Sequence, residues 1–126
     1  RRLIQREGGR AFQGRVFGKP ADMAEAERML SELNGDTHEV FSGVCLIHRA
    51  LRRERSFVEI SRVRFRTLSP VERRAYLERI GPLDKAGAYA AQDDQGEIIE
   101  KVEGSLSNVI GLPMERFNQV YREFFE

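Results

Sequence analysis

The run from Thr37 to His48 is the feature that most constrains what this chain can fold into. It is rich in valine, leucine, isoleucine and phenylalanine, and these residues occupy both alternations of a strand. The pattern predicts a central β-strand that is buried on both faces. Gly43 within the run predicts a bulge or a close backbone approach. Such a strand needs other layers beside it, which favours an α/β or α+β arrangement.

Three segments with apolar residues at helical spacing are predicted to be helices. The first covers residues 22–33 and ends at Asn34-Gly35, a frequent C-cap pair. The second begins at Ser69-Pro70, a strong N-terminal signal, and ends at Gly81-Pro82. The third begins at Pro113 and carries an amphipathic stripe toward the end of the sequence.

The remaining elements have weaker signals. Residues 16–17 and 98–102 are predicted to be strands, and residues 104–108 are predicted to be a turn. The basic start, Arg1 to Glu7, is interpreted as a short helix that ends at Gly8-Gly9. A helix of this length is marginal in isolation, so we expect it to dock on another part of the protein.

An arginine row follows one face of the strand predicted over residues 56–67. Apolar Val63 and Phe65 alternate there with the arginines, which indicates an antiparallel strand with one solvated face. The row could bind nucleic acid. No aromatic residue shares the arginine face for base stacking, since Phe65 belongs to the opposite alternation, so a solvated face that resists edge pairing is favoured. The arginines are Arg62, Arg64 and Arg66.

Length, charge and cysteine content limit the classes of protein to which this chain can belong. The chain has 126 residues and a formal net charge of +1, which suits one domain and demands neither nucleic acid nor a membrane surface as partner. The single Cys45 excludes an internal disulfide and fits a reducing, cytoplasmic location. The sequence contains no apolar run long enough to span a bilayer, and its start lacks the apolar core of a signal peptide.

Residues 84–92 combine small side chains with reactive ones. Alanines and a glycine allow close approach, while Asp84, Lys85, Tyr89 and Gln92 supply a carboxylate, an ammonium, a phenol and an amide. This mixture suits the wall of a ligand pocket. A tight loop between a helix and a strand explains the same composition, and the residues alone leave both interpretations open.

Three further polar residues are of types that can bind phosphate or a metal. Lys19 stands in a loop just before a predicted helix, which suits a phosphate site but also an ordinary solvated lysine. His38 and His48 have no recognisable metal-ligand spacing. We interpret both histidines as structural or surface residues.

Four short motifs together resemble one known family, the Maf nucleoside triphosphate pyrophosphatases. They occur in order from about Val16 to the C-terminus: Gly18-Lys19-Pro20, then Gly35-Asp36-Thr37-His38-Glu39-Val40 with Ser42-Gly43, then Asp84-Lys85-Ala86-Gly87-Ala88-Tyr89 with Gln92, and Gly111-Leu112-Pro113. The resemblance implies an α/β fold with a mixed twisted sheet, flanking helices and two lobes, similar to inosine-triphosphate pyrophosphatases. It implies one domain over residues 1–126, in which 1–8 resembles the tail of the N-terminal phosphate loop and its helix, and 14–126 the rest.

The resemblance also implies a chemistry. Family members cleave a nucleoside triphosphate between its α- and β-phosphates with a divalent metal, Mg²⁺ or Mn²⁺. A catalytic role falls on Lys19, Lys85 and Asp84, and Asp84 is also the candidate metal ligand. A glutamine at Gln92 goes with the branch that acts on dTTP and UTP, and an amide can pair with a pyrimidine's carbonyl and N–H. Further substrate contacts are implied for Arg1, Arg2, Thr37 and Gly87, and a homodimer is a possible assembly.

Two departures from the family pattern bear on activity. Only Arg1-Arg2-Leu3-Ile4 resembles the tail of the family's Ser-x-Ser-Pro-Arg-Arg loop, and no Asp precedes Gly18 to match its Ala-Asp-Thr motif, whose aspartate resembles a catalytic base. We therefore expect a truncated or internally deleted member, or a piece of a longer polypeptide. The chain as written should hydrolyse nucleotide negligibly. The alternative is a non-catalytic remnant that binds nucleotide or a protein partner linked to cell division.

Overall fold

Five strands form the sheet, in the order β2-β1-β3-β4-β5. The computed structural model describes residues 2–92, 94 and 96–125, and for residues 2–7 the backbone alone. All four pairings of the described strands are antiparallel, and the predicted strand over residues 37–48 lies in the middle with the predicted bounds. The strands are β1 Arg2–Phe12, β2 Arg15–Phe17, β3 Thr37–His48, β4 Arg53–Phe65 and β5 Ile99–Glu103.

The three helices predicted from apolar spacing are confirmed, and local capping explains where the first two begin. Asp22 caps the first, because its Oδ1 accepts a hydrogen bond from the Glu25 N–H at 2.8 Å. Ser69 and Glu72 form a reciprocal capping box at the start of the second. The segment predicted as a turn over residues 104–108 instead begins a short helix. The helices are α1 Met23–Leu33, α2 Pro70–Ile80, α3 Leu106–Ile110 and α4 Met114–Phe125.

The described helices pack on one face of the sheet. Val40, Val44 and Leu46 of β3 are buried on that face, against two apolar clusters to which α1, α2 and α4 contribute. On the other face Val58 and Ile60 are 60% and 52% exposed. The prediction that β3 is buried on both faces is therefore wrong for the described residues, because their helices cover a single face. The α/β class, a sheet flanked by helices, is confirmed.

The helix predicted at the start of the chain is also wrong over the part described. Arg2–Phe12 is a strand that pairs with β3 from Arg2 opposite His48 to Ala11 opposite Glu39. A helix of so few residues leaves most of its backbone groups without partners. The ladder with β3 satisfies them along the whole strand, so the non-local pairing prevails over the local signal.

The arginine row lies on the open face of β4. Arg62 and Arg64 are exposed, and Arg64 forms an ion pair of 3.1 Å with Glu100 on the neighbouring strand. The row is thus a solvated strand face, as the alternation indicates. None of the described helices combines the length and the apolar content that crossing a bilayer requires.

Candidate functional site

A cavity of about 380 Å³ opens at the edge of β1, just past the point where β2 stops pairing with it. The loops that precede α1 and follow α2 meet there with α3. The wall is formed by Gly8, Gly9, Arg10, Lys19, Val40, Phe41, Asp84, Lys85, Ala86, Tyr89, Ala90, Ala91, Gln92, Asn108, Val109, Ile110 and Gly111.

A backbone hydrogen bond joins the two lysine-bearing loops of this cavity. The Gly87 N–H donates to the Gly18 carbonyl oxygen at 3.0 Å. Gly87 has a φ of +72°, and a Cβ there would lie 2.8 Å from Cδ of Arg10, so glycine is required both for conformation and for space. Ala88 follows with a φ of 65°, an uncommon conformation for a residue with a side chain. Local strain of this kind is concentrated at functional sites.

Two more contacts hold the wall in place. Tyr76 of α2 accepts a hydrogen bond from the Ala90 N–H at 3.0 Å, which fixes the end of the loop against the helix layer. The connection between α3 and α4 is tight, because the N–H groups of Gly111 and Leu112 both donate to the Ser107 carbonyl at 2.9 Å. The first two residues of the Gly-Leu-Pro motif therefore close the C-terminal turn of α3.

Asp84 and Lys85 form an ion pair at the mouth of the cavity. Lys85 Nζ lies 2.8 Å from Asp84 Oδ1, and the side chains are 28% and 78% exposed respectively. The hydrogen bond from Lys85 and its charge lower the pKa of Asp84, and Lys19 contributes a smaller effect in the same direction. A carboxylate held ionised in this way is a weak proton acceptor, because a general base works best with a pKa near the operating pH.

Behind the cavity lies a buried pair of aromatic side chains. His38 Nε2 and the Tyr89 hydroxyl are 2.7 Å apart, and the residues are only 2% and 1% exposed. Burial and then the charge of Arg10 lower the pKa of His38 to about 3, while burial raises the pKa of Tyr89 above its usual value. Both groups are therefore neutral at pH 7, and His38 agrees with its interpretation as a structural histidine.

The neutral His38 makes stability depend on pH. The unfolded chain binds a proton at this ring below about pH 6.5, whereas the folded chain does so only near pH 3. The free energy of unfolding is therefore unaffected by this ring above about pH 6.5. Below that pH it falls by roughly 1.4 kcal/mol per pH unit, until the folded chain also binds the proton. In urea titrations between pH 7 and 4, His38→Gln should remove this slope and His48→Gln should keep it. Equal slopes in the two variants would contradict the prediction.

The structure brings together part of the predicted set of site residues. Lys19, Asp84, Lys85 and Gln92 all line the cavity. Gly87 is buried beside it and makes the hydrogen bond that ties the two loops.

The other predicted substrate contacts lie elsewhere or outside the described residues. Thr37 is exposed at the start of β3 and is absent from the wall. The backbone of Arg2 lies opposite His48, six positions before Gly8 and hence roughly 20 Å along β1 from the cavity. Arg1 and the side chain of Arg2 fall outside the described residues.

Two wall residues were missed by sequence reasoning. Asn108 is 1% exposed, and its amide nitrogen lies 3.1 Å from the Val40 carbonyl and 3.0 Å from Ser61 Oγ. The nitrogen is therefore fixed toward the sheet, and the amide oxygen has no partner among the described groups. A lone amide beside the apolar Val109 and Ile110 was the available signal. Arg10 gave no signal, since it follows a glycine break.

The described residues offer few metal ligands. They contain no cluster of three or more His, Cys, Asp or Glu side chains that could hold an ion. Asp84 is the one carboxylate of the cavity wall among the described side chains. Magnesium is commonly held by one or two carboxylates together with substrate phosphates, so this donor set fits an ion that arrives with a phosphate compound.

The fold and the cavity define a class of protein. An antiparallel sheet with helices on one described face carries a cavity whose wall holds three cations, Arg10, Lys19 and Lys85, and the carboxylate Asp84. A wall of this charge is suited to a polyanionic ligand.

The chain belongs to the Maf family. The model of that family, described as Maf-like protein, matches residues 10–124. The family assignment agrees with the sequence resemblance, which rested on motifs from Gly18 to Pro113.

Curated relatives carry one printed function, dTTP/UTP pyrophosphatase. One from Carboxydothermus hydrogenoformans is 43% identical over 114 residues, which is 90% of this chain and 61% of the relative. One from Myxococcus xanthus is 48% identical over 104 residues, covering 82% and 52%. One from Desulfitobacterium hafniense is 49% identical over 100 residues, covering 79% and 45%. The chain thus spans about half the length of these relatives.

Proposed function

We propose that this chain forms the nucleotide-binding part of a pyrophosphatase that cleaves dTTP and UTP to the monophosphate and pyrophosphate. The observation that carries the proposal is the cavity in which Lys19 and Lys85 meet across the Gly87–Gly18 hydrogen bond. The printed function of the relatives supports the same substrate class.

In this proposal the two lysines stabilise negative charge on the phosphates of the substrate. Phosphoryl transfer leaves negative charge on the phosphate oxygens in the transition state, and fixed cations stabilise it. Lys85 is partly buried and is held by Asp84 at 2.8 Å, so its ammonium is oriented before the substrate arrives. Lys19 is exposed on the same cavity wall, and we assign it to a different phosphate of the triphosphate from Lys85.

A divalent metal, Mg²⁺ or Mn²⁺, is part of the proposal as a companion of the triphosphate. Asp84 would hold it, since its ionised carboxylate lines the cavity and is open to solvent. When bound, such an ion neutralises phosphate charge and polarises the phosphoryl group. Asp84 would hold the ion through the same carboxylate that contacts Lys85 in this structure.

The proposal also covers the cellular location and the oligomeric state of the protein. We place the protein in the cytoplasm, because Cys45 is a free thiol and nucleoside triphosphates are the substrate. We also propose a homodimer, which rests on the family resemblance and is checked by sedimentation.

A second candidate function is nucleotide binding without hydrolysis. It is favoured by the protonation state of Asp84, the one wall carboxylate of the described side chains, which is a poor proton acceptor. Turnover measurements separate the two candidates.

Titration of the chain with nucleotides tests the proposed binding site. We expect calorimetry to show binding of dTTP and UTP, and weaker binding of ATP and GTP, which present a purine edge. A chain that remains folded and binds none of the four would overturn the proposal.

Gln92 is the proposed reader of the base. It is exposed on the cavity wall, and its amide can both donate to and accept from a pyrimidine. Gln92→Glu replaces the donor with a second acceptor and should weaken dTTP and UTP binding by about 1–3 kcal/mol. The matched control is Gln119→Glu on α4, which lies outside the cavity wall. An unchanged ratio of dTTP to GTP affinity would remove Gln92 from the base site.

A further inference from the structure

Arg10 is a cation of the cavity wall that neither the motifs nor the proposed function uses. It lies on β1 opposite Val40, on the face that the helices cover. Its guanidinium carbon stands 4.2 Å from the centre of the Tyr89 ring, and the residue lines the same cavity as Lys19 and Lys85. We infer that Arg10 is a third phosphate-binding cation of this cavity, held in position by stacking on Tyr89. The inference rests on the proposed function.

The stacking platform is rigid. Tyr89 is 1% exposed, its hydroxyl is 2.7 Å from His38 Nε2, and its ring packs edge-on against Phe65 at 4.7 Å. A guanidinium at this distance from such a ring is held by cation–π attraction and loses little further freedom when it binds. The guanidinium group can pair with two phosphate oxygens at once.

The hydrogen-bonding state of Arg10 points to a ligand. No carboxylate of the described side chains lies within 4.0 Å of it as an ion-pair partner. Its Nε is buried and has no hydrogen-bond partner among the described groups. A buried donor of this kind is costly, and native structures retain one mainly where a function uses it.

Gly87 provides the space that the arginine occupies. A Cβ at position 87 would lie 2.8 Å from Cδ of Arg10. The loop that carries Lys85 is therefore shaped around the arginine stem, and both cations line the same cavity. Lys85 is paired with Asp84, whereas Arg10 and Lys19 have no such partner among the described side chains. Two uncompensated cations and one paired cation fit a triphosphate better than a monophosphate.

The experiment compares binding of inorganic tripolyphosphate and of dTTP to the wild-type chain and to two neutral variants, Arg10→Gln and Arg10→Met. Loss of a charge-assisted contact should raise both dissociation constants about tenfold to hundredfold. Arg10→Lys should recover only part of the affinity. It keeps the positive charge but lacks the planar guanidinium that can donate two parallel hydrogen bonds. The matched control is Arg53→Gln, since Arg53 stands 4.9 Å over the Phe124 ring outside the cavity.

Each outcome of this experiment either supports or overturns the assignment of Arg10. A folded neutral variant whose Kd for tripolyphosphate stays within about twofold of wild type overturns the inference. If both neutral variants unfold, the side-chain Nε–H signal of Arg10 is followed by NMR in the wild-type chain, and a signal that saturating tripolyphosphate leaves unshifted overturns the inference instead. Melting temperatures without ligand report folding separately from binding. A wild-type chain that binds neither dTTP nor tripolyphosphate refutes the proposed function itself, which is a distinct result from wild-type binding that Arg10→Gln leaves unchanged.

Discussion

Lys85→Ala is expected to lower kcat/KM for dTTP by about two orders of magnitude wherever turnover is measurable, and to weaken triphosphate binding by the chain in parallel. The loss has two parts. The ammonium that faces the phosphates disappears, and Asp84, which it held at 2.8 Å, keeps its negative charge at the cavity mouth. The variant thus replaces an attraction with a repulsion.

Stability is expected to change little in this variant, because ion pairs near the surface contribute small amounts to folding. Asp84→Asn in the Lys85→Ala background should restore part of the affinity, measured with a chelator present so that metal does not contribute. Lys101→Ala is the matched control, since Lys101 pairs with Glu103 on β5 and does not line the cavity. Wild-type affinity in Lys85→Ala, or an equal loss in Lys101→Ala, would refute the assignment.

The largest effect is expected in turnover of the 126-residue polypeptide itself. General acid–base catalysis commonly supplies a factor of about 10²–10⁴, and the described wall has no carboxylate poised to accept a proton. Asp84 is the one wall carboxylate among the described side chains, and Lys85 lowers its pKa. We expect the polypeptide to bind dTTP and to release pyrophosphate at least about a hundredfold more slowly than the Carboxydothermus hydrogenoformans relative.

Both proteins should be assayed with dTTP and UTP in Mg²⁺ and in Mn²⁺. Equal rates would refute this expectation and show that the chain as written can activate the attacking water. In that case Asp84→Asn and Glu39→Gln become the decisive variants, since these carboxylates belong to the matched motifs. A rate that survives both changes would point to a water activated by metal alone.

Local signals in the sequence were sufficient for much of the fold. The capping box at Ser69 and the left-handed Gly81 bound α2, and both act within a few residues of the positions that they control. The dense β-prone run along β3 predicted a strand with the correct bounds. These features depend on near neighbours, which is why one sequence reveals them.

Non-local features were not accessible in the same way. Residues 2–7 form a strand only because β3 is available to pair with them, and nothing within the segment encodes that partner. Which face of β3 is covered depends on where α1 and α4 pack, which alternation alone leaves undetermined.

The residues of the candidate site also differ in whether local sequence reveals them. Lys19, Lys85 and Gln92 could be predicted, because they lie in motifs that resemble a family. Arg10 could not, because its place depends on the register that sets it opposite Val40 and on the ring of Tyr89 far along the chain.

The hydrogen bond between Gly87 and Gly18 has a consequence for how such a site can diverge. It joins two main-chain groups, an N–H and a carbonyl, so substitution of neighbouring side chains does not remove it. The separation of Lys19 and Lys85 is therefore inherited with the backbone. Gln92 stands on the same wall but takes no part in that bond. Under the proposed function, selection can therefore change the residue assigned to the base, and so alter which nucleotide is accepted, while the spacing of the two lysines assigned to the phosphates stays the same.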